Sequence, residues 1–299
     1  MNAKRAAFHF FTYTIHQTPS PPRLLLEDVA QRFGIDTSSP ASVFKKKNEI
    51  FESCVWDAAQ FFHPKRKSVG TIILKANQIQ TSGTFLLKIG CEKKAVFTDK
   101  DLVDHVQPNF PYVYTCFDNR PNKQIIAIEH KPSVFSDPKV VAKIIQENAN
   151  SKLAPFNLQC TIKQQFDDND FWKFVAQHPK TIARLQFLIM APNLPRIAES
   201  VPESFNLLQS SVGSQCAKID LHGLANGHLT IAATNRAVAG LAKAAADGGG
   251  EIKVALKGYK RLKTMSKTTR ETTIEEFHAE GEPNSVLSVI TEMMGKMDE

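Results

Sequence analysis

Arg184–Ala191 (RLQFLIMA), Cys216–Leu224 (CAKIDLHGL) and Ile252–Leu256 (IKVAL) are the segments that decide the fold of the second half of this chain. The first is a short apolar run of strand-forming residues, and the other two alternate apolar with polar side chains, as half-buried strands do. Between them, Arg196–Val212 and Thr234–Asp247 place apolar residues at spacings of three and four, which predicts helices. A proline inside the first helix predicts a break there. We therefore expect a sheet covered by helices.

The first half of the chain predicts a second sheet. Ala6–Ile15 is aromatic and β-prone, while Tyr112–Phe117 and Gln124–Glu129 form the clearest hairpin of the chain, joined by a polar turn. Val96–Val106 predicts the end of a strand followed by a short helix. Asp137, which stands directly before a proline, predicts the capped start of another helix.

These elements predict an α+β fold, with mixed β-sheets and covering helices in two lobes. We place the boundary at the start of Asp167–Lys180, which gives residues 1–166 as an N-terminal lobe and residues 167–299 as a C-terminal lobe. Two further helices are expected, one over Arg23–Phe33 and an amphipathic one over Pro283–Met297.

The composition is that of an ordinary globular protein, with 42% hydrophobic and 22% charged residues and a net charge of +7. This basic excess favours polyanionic partners, although a solvated basic surface without such a partner is the simpler alternative. The five cysteines are scattered, so neither a disulfide framework nor a zinc site is indicated, and reduced thiols are typical of a cytoplasmic protein. No apolar run is long enough to cross a membrane.

The most informative stretch for function is the basic segment, residues 253–270, which contains seven cations and no acid. Its cations are Lys253, Lys257, Lys260, Arg261, Lys263, Lys267 and Arg270. They are interleaved with hydroxyl side chains, a mixture suited to phosphate groups, since cations release counterions and hydroxyls position the nucleic-acid backbone. No helix-turn-helix, zinc-finger or aromatic RNA-binding pattern accompanies them, so sequence-specific contacts are not predicted. Lys45–Lys47 and Lys65–Lys67 extend this surface only if the fold brings them close.

Two Glu-x-Lys triplets, at Glu129–Lys131 and Glu251–Lys253, raise the alternative of a metal-dependent nuclease. Such a site needs a second carboxylate beside the glutamate. Asp118 lies upstream of the first triplet, but it is expected at the opposite end of the hairpin, about 15–20 Å from Glu129 at the usual strand rise. The chain also lacks phosphate-loop, dinucleotide-binding, zinc-protease and serine-hydrolase motifs. We therefore expect no catalytic residues, metal ligands or cofactor.

The order of segments resembles that of a known family. The relevant segments are Phe8–Tyr13 (FHFFTY), Tyr112–Phe117, Ile125–Glu129, Arg184–Asn193 (RLQFLIMAPN) and Lys218–Gly227 (KIDLHGLANG). In this layout the chain resembles the RexA family of phage exclusion proteins and, more loosely, the KwaB component of the Kiwa anti-phage system. The resemblance covers most of the chain but carries no catalytic motif, so no functional residue is transferred from it.

The resemblance implies a cytoplasmic, DNA-binding phage-defence protein that forms a homodimer and works with a membrane protein. Together with the basic segment, it gives the hypothesis of a non-enzymatic protein that binds double-stranded DNA regardless of sequence, as a sensor or relay in anti-phage defence. Two alternatives stay open. One is the metal-dependent nuclease, and the other is an adaptor whose basic segment binds an acidic protein or a membrane surface.

Overall fold

The structure is a computed structural model. It describes residues 4–18, 31–36, 40–62, 72–190, 195–212, 214–224, 227–259, 261–265, 268–278 and 280–295.

Within these residues the chain forms both strands and helices. The strands are β1 (Lys4–Gln17), β2 (Phe61–Phe62), β3 (Ile72–Thr81), β4 (Thr84–Cys91), β5 (Lys93–Thr98), β6 (Asp104–Asn109), β7 (Tyr112–Asp118), β8 (Ile125–Glu129), β9 (Leu158–Gln164), β10 (Ile182–Met190), β11 (Cys216–His222), β12 (Gly250–Leu256), β13 (Lys263–Thr264) and β14 (Glu271–Phe277). The helices are α1 (Pro40–Lys45), α2 (Lys47–Trp56), α3 (Pro138–Leu153), α4 (Asn169–Gln177), α5 (Pro195–Ser200), α6 (Glu203–Ser211), α7 (Arg236–Ala244) and α8 (Pro283–Gly295). The mixed α+β fold class is confirmed.

β1 lies second in the larger sheet, whose strand order is β14-β1-β8-β7-β4-β3-β2, and β9 pairs with it outside this order. The first half of β1 pairs antiparallel with β14, where His9 lies opposite Glu271. Its second half pairs antiparallel with β9, where Phe11 lies opposite Gln164. One strand therefore holds the start, middle and end of the chain together.

Both faces of this large sheet are buried, because β1 is apolar at both alternating sets of positions. Phe11 and Tyr13 lie in a hydrophobic cluster with the apolar residues of α2 and α3. Phe8 and Phe10 lie on the other face, in a cluster with the apolar side of α8. The large sheet is therefore a central layer between helices.

The small sheet has the strand order β11-β10-β12-β13, and all of its pairs are antiparallel. Leu185, Phe187 and Ile189 of β10 point to one face, where they meet Ile252 and Val254 of β12 and the apolar residues of α4, α5 and α7. The opposite face carries mainly polar and charged side chains. The small sheet therefore buries one face in its hydrophobic cluster.

A wide turn, Ala245–Gly249, joins α7 to β12 and forms the seam between the two sheets. The Thr12 hydroxyl donates a 2.6 Å hydrogen bond to the Asp247 carbonyl and accepts one of 2.9 Å from the Gln165 amide. The Arg270 guanidinium lies 3.0 Å from the Asp247 carboxylate. Gly248 adopts φ +87°, and a Cβ there would lie 2.6 Å from Thr12. Only glycine fits this backbone conformation without strain.

The end of the chain returns to the large sheet. β14 pairs with β1, and Val286 and Ile290 of α8 lie in the hydrophobic cluster with Phe8 and Phe10. β14 and α8 thus pack with the N-terminal part of the chain. The division into lobes at residues 166 and 167 stays a prediction, and it does not follow these contacts.

Most sequence-based elements agree with the structure, and one is wrong. Arg196–Val212 is broken into two helices, α5 and α6, as its proline predicts. Asp137 caps α3 by accepting a 2.8 Å hydrogen bond from the Lys139 backbone N–H. Val96–Val106 contributes to the β5–β6 hairpin instead of forming a strand end and a helix. Most of Arg23–Phe33 lies outside the described residues. In the described part of the chain, no helix combines the length and apolarity needed to span a bilayer.

Candidate nucleic-acid interface

A cleft of about 660 Å³ lies between the two sheets, lined by α3 and β9 on one side and by β12 and β13 on the other. Four of its lining residues are lysines and two are glutamates. They are Lys139, Lys143, Lys163, Lys253, Glu147 and Glu251. The cleft therefore has an excess of positive charge at neutral pH.

Helix and strand periodicity position these lysines. Lys139 and Lys143 are four residues apart on α3, so they lie on the same helix face about 6 Å apart along its axis. Lys163 projects from β9, while Lys253 projects from β12 on the face opposite Ile252 and Val254. The neighbouring elements α3 and β9 and the distant strand β12 thus present ammonium groups to one space.

Glu251 forms ion pairs with two of the cleft lysines. Its carboxylate lies 3.4 Å from the Lys163 ammonium and 3.3 Å from the Lys253 ammonium. Partial burial opposes ionisation of Glu251, but the charges of Lys163 and Lys253 outweigh it and lower the pKa of this carboxyl. Glu251 therefore stays ionised at neutral pH, where it partly neutralises the two lysines and restricts their positions.

The polar face of the small sheet continues beyond the cleft onto β10 and β11. The Arg184 guanidinium donates two hydrogen bonds, of 2.7 and 2.6 Å, to the Asp220 carboxylate, and the Gln186 amide donates a third of 3.0 Å. The hydrogen bonds from Arg184 hold the pKa of Asp220 well below its usual range. Lys218 and His222 lie 3.6 and 3.1 Å from the same carboxylate. This part of the surface is charged, but its charges are largely paired.

The basic segment does not form one continuous surface. Lys253 lines the cleft, whereas Lys257 and Arg261 are exposed at the turn between β12 and β13. Lys263 lies opposite Val254, on the other face of the small sheet, with its ammonium 4.8 Å from the centre of the Phe174 ring.

Arg270 has a structural position, because its guanidinium is tied to Asp247 at the seam and lies 3.4 Å from the Gln165 amide oxygen. Lys260 and Lys267 lie outside the described residues.

Of the two other basic triplets, Lys45–Lys47 does not line the cleft. Lys45 and Lys47 line a separate cavity of about 1,030 Å³, next to Glu49, Glu52 and Asp57. Charges of both signs mix there, which makes it a poorer phosphate site than the cleft. Lys65–Lys67 lies outside the described residues.

The structure describes the surroundings of the glutamate in both Glu-x-Lys triplets. The Glu129 carboxylate accepts a 2.9 Å hydrogen bond from the Tyr114 backbone N–H, and burial raises its pKa. Asp118 pairs with Arg120 and lies opposite Ile125, at the far end of the hairpin from Glu129. Glu251 is held by two lysines. Within the described ranges, neither glutamate belongs to a cluster of three side chains spaced to hold a metal.

One such cluster does occur among the described residues, and the sequence did not indicate it. It consists of His9, His130 and Glu271, whose ligand atoms all lie within 4.8 Å of one another. Burial lowers the pKa of His9, with a further contribution from His130, while Glu271 opposes the shift. The three residues are far apart in sequence and meet only through strand pairing.

Comparison with protein-family models and with curated proteins found no match for this chain. Function is therefore inferred from the residues that line the cleft. Sequence reasoning found Lys253 but missed Lys139, Lys143 and Lys163, which are isolated cations in ordinary amphipathic elements. Only the four-residue spacing of Lys139 and Lys143 gave a signal that two cations share a helix face.

Proposed function

We propose that this protein binds the sugar-phosphate backbone of double-stranded DNA at the cleft, without reading the base sequence. The observation that carries the proposal is the convergence of Lys139, Lys143, Lys163 and Lys253 from three separate elements. Lysine is a point charge with three donors, which suits a phosphate oxygen but gives little base discrimination. Sequence-independent binding is the behaviour expected of such contacts.

The exposed turn after β12 extends this proposed surface. Lys257 follows Lys253 by four residues, about 13 Å at strand rise, and Arg261 is exposed in the same turn. Tyr259 is 72% exposed between them and offers a flat ring beside the cations. In this arrangement the cleft binds the sugar-phosphate backbone of one DNA strand. The turn contacts phosphates farther along the duplex.

The proposed biological role is that of a non-enzymatic sensor or relay in anti-phage defence. Its support is the resemblance in segment order to the RexA family and to KwaB. On the same ground we propose a cytoplasmic homodimer that acts with a membrane-protein partner.

Binding of the purified protein to a random-sequence duplex across a salt series tests the proposal. Affinity should fall linearly on a log-log plot, with a slope of about −0.9 for each phosphate neutralised, or about −3.6 if all four cleft lysines contact phosphates. Scrambling the sequence of the duplex should leave the affinity unchanged. Absence of binding at low salt would refute the proposal.

A metal-dependent nuclease is the second candidate, since a lysine-lined cleft also suits a phosphodiester substrate. Incubation of supercoiled plasmid with the protein and magnesium, manganese or zinc separates the two candidates. Intact plasmid under conditions where the duplex is bound supports the non-enzymatic proposal. Nicked plasmid, with nicking abolished by a chelator, would replace it with the nuclease.

The third candidate is an adaptor that binds an acidic protein or an anionic membrane surface. Competition distinguishes it from the DNA-binding proposal. An acidic polypeptide or anionic vesicles that bind the protein equally well in the presence of excess duplex would support the adaptor and contradict the proposed use of the cleft.

A further inference from the structure

The pairing of three neighbouring strands fixes the His9, His130 and Glu271 cluster. His9 lies directly opposite Glu271 across the β1–β14 pair, which brings their Cβ atoms to about 4.5–5.5 Å. On its other side β1 pairs with β8, and the His130 backbone N–H donates a 2.8 Å hydrogen bond to the Ala7 carbonyl just after β8 ends. The cluster is therefore set by the backbone of the large sheet.

The side chains of the cluster converge. The His9 and His130 rings have centroids 4.5 Å apart, and the His9 Nε2 atom lies 3.1 Å from a Glu271 carboxylate oxygen. Three ligands at zinc-bond lengths of about 2.0–2.1 Å in tetrahedral geometry lie about 3.4 Å apart. One pair already has this spacing, and small side-chain rotations bring in the third ligand.

His9 provides a second, independent indication of a ligand. Its side chain is only 10% exposed, and despite the short contact with Glu271 its Nε2 atom has no hydrogen-bond partner of proper geometry among the described residues. A buried polar atom without a partner is destabilising, and native structures rarely leave one so. This atom lies 3.1 Å from the Glu271 carboxylate, on a ring that is next to the His130 ring, and a cation bound by the three side chains would satisfy it.

We infer that His9, His130 and Glu271 bind a divalent transition metal of the zinc class. Two imidazoles and one carboxylate are a common ligand set for such ions, and three protein ligands leave a position for water or an anion. The Gln164 amide lies 3.4 Å from the other ring nitrogen of His9 and also donates a hydrogen bond to Thr269. Because a metal-bound imidazole carries an N–H on its other ring nitrogen, metal binding would turn the Gln164 amide so that its oxygen accepts this N–H.

The site borders the cleft. Gln164 lines the cleft, as does Phe11, which is two residues from His9 on the same face of β1. A bound cation would add positive charge at this end of the lysine cleft. It would also tie β14 and the residue after β8 to β1, so the large sheet should be more stable when the metal is bound.

Calorimetric titration of zinc into the chelator-treated full-length protein tests this inference. We expect one high-affinity site per chain and a rise in Tm with added zinc. The His130→Ala/Glu271→Gln double variant should lower the affinity at least about tenfold and abolish the rise in Tm. These two residues are chosen because Glu271 is exposed and His130 only partly buried, so their replacement should spare the fold.

His105→Ala is the matched control, since His105 pairs with an aspartate, Asp99, on the exposed β5–β6 hairpin. It should leave zinc affinity unchanged. Cobalt titration gives a second readout, because a site with few ligands produces a strong visible absorption band that the double variant should lack. Equal zinc affinity in wild type and double variant, or no stoichiometric binding, would overturn the inference. DNA binding is measured on the same samples. Protein that binds DNA but no zinc would overturn the metal site alone and leave the proposed function in place.

Discussion

The large sheet and the small sheet use their faces differently. The large sheet buries both faces, one under α2 and α3 and the other under α8. The small sheet buries one face and presents charged side chains on the other, where Lys253 and Glu251 meet Lys163 across the cleft. Burial of apolar area stabilises the first arrangement, whereas the second leaves cations accessible to a ligand. The large sheet thus has two buried faces, and the proposed DNA-binding cleft combines Lys253 of the small sheet with Lys139, Lys143 and Lys163 of α3 and β9.

Substitutions at the seam between the two sheets should cause the largest losses of stability. Gly248→Ala should destabilise the protein by about 3 kcal/mol, since it adds left-handed backbone strain and a Cβ only 2.6 Å from Thr12. Gly258→Ala is the control, because Gly258 also has a positive φ, +84°, but open space around it. Its cost should be about 1 kcal/mol. Equal losses in denaturant unfolding would show that the seam is not tightly packed.

His16, which is buried on β1 of the large sheet, predicts that the stability of the protein depends on pH. Burial, together with the nearby Lys47 charge, lowers the pKa of His16 to about 4, from 6.5 in the unfolded chain. Between these values the unfolded chain binds the proton and the folded chain does not. Stability should therefore fall by about 3 kcal/mol as pH decreases from 6.5 to 4. Unfolding measured across this range should show a shallower decline for His16→Gln. A variant that loses stability as steeply as wild type would contradict the assignment.

Substitution of Arg270 tests whether this residue of the basic segment stabilises the fold or binds DNA. Its side chain is 27% exposed and its partner Asp247 only 11% exposed, so Arg270→Ala leaves a carboxylate poorly compensated and should cost about 2–3 kcal/mol. The pair Arg5–Glu275 is 71% and 73% exposed, and Arg5→Ala should cost under about 1 kcal/mol. Folded Arg270→Ala protein should keep the salt dependence of DNA binding. A flatter salt dependence would place Arg270 at the DNA instead.

Glu251→Gln should have the smallest effect of these variants, a change in DNA affinity that arises in the cleft alone. It frees Lys163 and Lys253 from their shared carboxylate and should raise DNA affinity a few-fold at low salt. Glu147→Gln removes a carboxylate at the edge of the same cleft and should have a weaker effect. Reduced affinity in Glu251→Gln would show that this carboxylate positions the lysines for binding.

The sequence predicted local elements well because their signals are local. The apolar run of β10, the alternation in β11 and β12 and the cap at Asp137 each depend on neighbouring residues alone. The β5–β6 hairpin was misread because Val96, Phe97 and Val106 are all exposed, so no buried face imposes an alternating pattern. The spacing of apolar residues predicts secondary structure only where those residues are buried on one face.

The site was only partly predictable because it depends on long-range pairing. Seven clustered cations suggested one surface, but strand alternation sends Lys253 and Lys263 to opposite faces of the small sheet. Lys163 reaches Lys253 only because β9 pairs with β1 and the seam holds β12 beside it. The same pairing unites His9, His130 and Glu271, which no local pattern connects.

The most direct test of the functional claim compares the salt dependence of duplex binding in two charge-matched triple variants. One replaces Lys143, Lys163 and Lys253 in the cleft by glutamate, and the other replaces the exposed Lys94, Lys100 and Lys243 elsewhere. The cleft variant should lose affinity strongly, with its log-log slope reduced by about 3, while the control should keep the wild-type slope. Equal slopes for the two variants, with both proteins folded, would contradict the assignment of the cleft as the DNA-binding site.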